Sequence, residues 1–107
     1  MYSQTRSAPR IEKLSFISFV EKENDEQKSP VTMGRTINIS ATGLGVESFQ
    51  NIPEGAAMEM DISLGEEIIH ARGKVVRSTT LATGAFFLGI TFDEFQEKLE
   101  TIVLEKA

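Results

Sequence analysis

Between residues 58 and 64 apolar and polar side chains alternate, with Met58, Met60, Ile62 and Leu64 set against Glu59, Asp61 and Ser63. A period of two gives a β-strand one apolar face and one wet face. Ile69, Ala71, Gly73 and Val75 alternate in the same way with His70, Arg72 and Lys74, and Phe86, Leu88, Ile90 and Phe92 form a third such set. Three further segments, Leu14 to Val20, Thr32 to Ile39 and Leu44 to Phe49, are rich in β-branched and aromatic residues and are predicted strands. In the second of them, Ile37 and Ile39 are expected to face the core, with Asn38 and Ser40 on the opposite face. The breaks carry turn chemistry: the polar run Glu23 to Pro30, the segment Asn51 to Gly55, Gly65-Glu66-Glu67 and Ala82-Thr83-Gly84. Six short strands with short connections predict an antiparallel barrel or sandwich.

The period changes near the end of the chain. Phe95, Leu99, Ile102 and Val103 recur at i, i+4, i+7 and i+8, the spacing of an amphipathic helix. Asp93 is the expected cap, with Gln96 reaching back to it as in a capping box. Such a helix closes one end of a barrel and completes its core.

A chain of 107 residues suits one domain with one core. No segment approaches the roughly 20 apolar residues of a membrane span, and the first residues lack the apolar stretch of a signal peptide. There is no cysteine, so disulfides and thiolate metal sites are excluded. A cytoplasmic protein away from membranes is expected. The formal net charge of -5 argues against a nucleic-acid partner, which needs a basic surface. The charge is uneven. Arg6, Arg10 and Lys13 outnumber Glu12 in the first thirteen residues, and the remainder is strongly acidic. A small basic arm on an acidic body fits a compact anion.

Catalysis requires a constellation that this chain lacks. His70 is the only histidine and shares a predicted wet strand face with Arg72 and Lys74. There is no nucleophile elbow, Walker loop or dinucleotide fingerprint. The sequence therefore predicts neither catalytic residues nor a metal site, and a binding domain rather than an enzyme.

Two motifs carry candidate chemistry. The first is Arg6-Ser7-Ala8-Pro9-Arg10. Proline disfavours helix at the residue before it, so the segment should be extended. Guanidinium forks suit phosphate oxygens and guanine edges. The second is Asn38-Ile39-Ser40-Ala41-Thr42-Gly43, a strand end offering an amide, a hydroxyl and backbone N–H groups, with Gly43 permitting a positive φ or a close backbone approach. Read alone, each has an ordinary explanation, a loose terminus and a common turn.

Taken together and in this order, they resemble the binding signature of the PilZ domain, the bacterial receptor module for cyclic di-GMP. Its pattern is Arg-x-x-x-Arg ahead of the first strand, then Asp/Asn-x-Ser-x-x-Gly at a strand end. The segments Gly73 to Arg77 and Phe87 to Phe92 also look like later strands of the family. The resemblance implies a six-stranded antiparallel β-barrel with a C-terminal α-helix. Residues 1–13 would form a flexible arm and residues 11–107 the barrel. It further implies that Arg6, Arg10, Asn38, Ser40 and Gly43 bind cyclic di-GMP without any cofactor, and that the arm changes conformation to signal to a protein partner. The alternative is a PilZ-like protein-interaction module that binds no nucleotide. A small barrel binding single-stranded nucleic acid is disfavoured by the acidity.

Overall fold

A computed structural model describes residues 10–11 and 15–106. In chain order the elements are β1 (Arg10–Ile11), β2 (Phe16–Glu23), β3 (Glu26–Gln27), β4 (Thr32–Ser40), β5 (Gly43–Ser48), β6 (Ala57–Leu64), β7 (Glu67–Thr80), β8 (Phe86–Phe92) and α1 (Glu97–Lys106). Every pairing is antiparallel. The order runs β4-β5-β8-β7-β6-β2, and β2 pairs back onto β4. Six strands thus close into a barrel with no free edge between them, one of the two arrangements the strand pattern predicts and the one the resemblance implies.

Closure puts the alternating apolar residues inside. Ile17, Phe19, Ile39, Val46, Met58, Met60, Ile62, Leu88 and Val75 are all nearly inaccessible. Helix α1 adds Leu99 and Val103, both fully buried, with Ile102 packed beside them.

Three local expectations change. The polar run after Glu23 is a hairpin: β3 pairs back on β2 through Asn24 and Asp25, whose φ values of 55° and 65° suit a two-residue turn. The helix begins at Glu97, and the carbonyl of Gln96 accepts the amide of Glu100. Gln96 therefore occupies the capping position and Asp93 does not, because the Asp93 amide is bonded to the Arg72 carbonyl and the chain still follows the barrel rim there. Phe95 consequently precedes the helix and is 39% exposed, outside the buried stripe.

The third change concerns Ile37. The β4–β5 register shifts between Thr36 and Asn38, so Ile37 is an extra residue in a β-bulge. Before it Gly34 and Thr36 point inward; after it Ile39 does. Ile37 is 38% exposed and leaves the core. A second bulge falls on β7 between Val75 and Arg77, with Val76 the extra, exposed residue.

Candidate functional site

The site is built on the end of β4. β1 pairs with β4 with Arg10 opposite Ser40 and Ile11 opposite Ile39. Arg10, the last residue of the first motif, thus lies on the strand neighbouring the second motif. Arg6 lies outside the described residues, as does the rest of the predicted arm apart from β1, and Arg10 enters here through its backbone pairing.

Ser40 is fully buried, and its hydroxyl works within the turn. It donates to the Gly43 carbonyl at 3.2 Å, accepts the Thr42 amide at 3.2 Å, and lies 3.1 Å from the Thr42 hydroxyl. These bonds close a compact turn in which the side chain replaces a backbone partner. The turn is also held from below. The Ala41 and Thr42 carbonyls accept the amides of Gln96 and Phe92, which ties it to the segment joining β8 to α1. The expectation that Ser40 offers its hydroxyl outward thus gives way to a turn-shaping role.

Gly43 serves close approach. Its φ is not positive, but a Cβ there would lie 2.3 Å from the Ile90 carbonyl oxygen. Only glycine lets the turn lie against β8 at this distance.

Asn38 is half-buried on the outer face beside this turn. It heads a row running straight across four strands, Asn38 on β4, Gly45 on β5, Gly89 on β8 and Arg77 on β7. Because the two middle positions are glycines, the row is low at its centre. The ring of Phe87 lies across it: a Cβ on Gly45 would meet that ring at 2.7 Å and Asn38 Nδ2 at 3.2 Å. Arg77 completes the row, with its guanidinium 5.9 Å from the centroid of Phe87, a loose cation–π distance. Sequence reading singled out neither Arg77 nor Phe87. The overlooked signal was parity, since an alternation that buries Ile69, Ala71, Gly73 and Val75 would turn Arg77 inward unless a bulge intervened.

A separate polar cluster lies on β6 and β7. His70 Nδ1 is 2.6 Å from Asp61 and its Nε2 is 3.3 Å from Glu59, which also pairs with Arg72 and Lys22. The hydrogen bond with Asp61 raises the His70 pKa against a smaller desolvation effect, with Glu59 adding to the rise. Desolvation pushes the Glu59 pKa up, but its bonds with His70 and Lys22 outweigh this and lower it overall. The His70 side chain is 61% exposed, as expected for a wet strand face.

Fold and site together define a small closed β-barrel in which β1, beginning at Arg10, pairs beside an Asn-x-Ser-x-x-Gly turn. The family model for the PilZ domain matches residues 4–105, and the chain belongs to this family of cyclic di-GMP-binding domains. Solved structures share the fold. Bacillus subtilis inhibitor of motility, MotI/DgrA, superposes with a TM-score of 0.79 at 18% identity, over 96% of this chain and 51% of that one. The chain thus spans about half the length of that protein. The PilZ domain of YcgR from Escherichia coli, solved with cyclic di-GMP, gives 0.63 at 17% identity over 94% and 87% of the two chains. The PilZ domain of CeSA from a cellulose-synthesizing bacterium gives 0.58 at 15% identity over 89% and 90%. No curated protein sequence matches the chain. Among the described residues no helix is long and apolar enough to cross a membrane.

Proposed function

We propose that this domain is a cyclic di-GMP receptor rather than an enzyme, and that it reports the nucleotide to a protein partner in the cytoplasm. The observation that carries this reading is the pairing of Arg10 with Ser40, which brings the last residue of the arginine motif beside the signature turn. In this reading Arg6 and Arg10 contact phosphates and guanine edges, Asn38 contributes its amide, and Ser40 and Gly43 hold the turn in shape for the ligand. The arm closes over the nucleotide. Ordering it costs conformational freedom, so the closed arm is populated mainly with ligand, and the partner reads that difference.

An outward apolar strip supports the partner. Phe16 on β2 and Met33 on β4 are 62% and 59% exposed, and Phe49, just beyond β5, is 82% exposed. Phe16 sits opposite Arg35 and Met33 opposite Ser18 on adjoining strands, so these two occupy neighbouring rows of one outer face.

Isothermal titration calorimetry of the intact chain with cyclic di-GMP, with GTP as control, tests the receptor reading. Saturable binding specific to cyclic di-GMP is expected, with Arg6→Ala and Arg10→Ala each losing about 1.5–3 kcal/mol. Absence of binding at micromolar protein overturns it.

A further inference from the structure

Among the described residues, most cations of this acidic body are already neutralised. Lys22 and Arg72 pair with Glu59, Lys28 with Glu21 and Glu23, Arg35 with Glu47 at 2.6 Å, and Lys98 with Glu67. Lys74 and Arg77 have no carboxylate partner among the described residues, and both are exposed on β7. An acidic surface offers many carboxylates, so two unpaired cations on one strand stand out.

Their positions relate them to the signature turn. Lys74 is opposite Thr91, and Thr91 is opposite Gly43. Arg77 is opposite Gly89, Gly89 opposite Gly45, and Gly45 opposite Asn38. Each cation therefore lies two strands from β5 on the same outer face, roughly 10 Å away at ordinary strand spacing. The bulges reinforce this. One immediately precedes Asn38 and the other immediately precedes Arg77. A bulge re-aims the side chain beside it. Without the Val76 bulge, Arg77 would share the inward parity of Gly73 and Val75. The two bulges thus turn the end members of one row outward on either side of its glycine centre, across which the Phe87 ring lies.

We infer that Lys74 and Arg77 form a second, β7-based half of the ligand site, so that the nucleotide lies across the outer faces of β5 and β8 between the signature turn and β7. Lys74 meets a phosphate as a point charge. Arg77, with the Phe87 ring at its side, meets a phosphate or the edge or face of a guanine. This placement rests on the receptor reading and adds to it the direction in which the ligand extends.

The test is calorimetry of the intact chain with cyclic di-GMP, comparing wild type with Arg10→Ala, Lys74→Ala, Arg77→Ala and Lys98→Ala. Urea midpoints establish that each variant is folded. The expected result is roughly tenfold weaker binding for both Lys74→Ala and Arg77→Ala, and unchanged binding for Lys98→Ala, whose cation is already paired. If wild type binds, Arg10→Ala binds more weakly, and both β7 variants bind as wild type, the placement is wrong while the receptor reading stands. If Lys98→Ala weakens binding as much as the β7 variants, the effect is bulk charge and the placement is again wrong. If wild type takes up no cyclic di-GMP, the receptor reading fails and the placement with it.

Discussion

Gly43 and Gly45 stand two residues apart on β5 and are constrained by different neighbours. A Cβ at 43 meets the backbone carbonyl of Ile90, whereas a Cβ at 45 meets the ring of Phe87. Backbone cannot yield without parting β5 from β8, but a half-buried ring can swing. Gly43→Ala should therefore destabilise the domain by about 1–3 kcal/mol, measured by urea unfolding, and Gly45→Ala by clearly less. Equal losses would mean that the ring is as fixed as the backbone. The His70 cluster gives a second prediction at this scale. The His70 pKa is raised above its ordinary 6.5, so its contribution is complete below that value and is lost as pH rises through the higher folded value. The Glu59 pKa is lowered from 4.5, so its contribution is complete above 4.5 and is lost as pH falls through the lower folded value. Both are whole between 4.5 and 6.5. Because His70 is largely exposed, the effect should stay below about 1 kcal/mol. His70→Gln should flatten the decline in urea midpoint above pH 6.5, and an unchanged decline would assign it to other groups.

At the scale of elements, α1 has two duties. Leu99 and Val103 fill the barrel end, while the segment entering the helix holds the signature turn through the Gln96 and Phe92 amides. Leu99→Ala should cost about 2–5 kcal/mol by urea unfolding, and a loss under 1 kcal/mol would mean the helix is not integral to the core. The strands and the helix were legible because burial imposes periods of two and 3.6 on the side chains. The bulges were not, because an inserted residue leaves each half of the strand with a valid alternation. Ile37 looks like core at either parity. Arg77 carried the better clue, since a cation at an inward position calls for a break in register. The start of α1 was misplaced because Asp93 is a good cap by type, but its amide is committed to Arg72, a partner distant in sequence.

For the whole molecule, both motifs of the site were readable as residue types, but their meeting was not. It depends on β1 joining the edge of β4 beyond the point where β2 leaves it, with Arg10 opposite Ser40 and Phe16 opposite Arg35. That is a property of barrel closure. The same closure aligns Lys74 and Arg77 with the turn from across two strands. On the receptor reading, one outer face, from the signature turn across β5 and β8, receives cyclic di-GMP. The most direct test of this central claim is a ¹H–¹⁵N correlation titration of the intact chain with the nucleotide. The amides of Arg10, of Asn38 to Gly45, and of Gly89 and Arg77 should shift together and saturate, while those around Asp61 and His70 on the β6–β7 face stay fixed. Shifts confined to the His70 face, or none at saturating nucleotide, would contradict the claim.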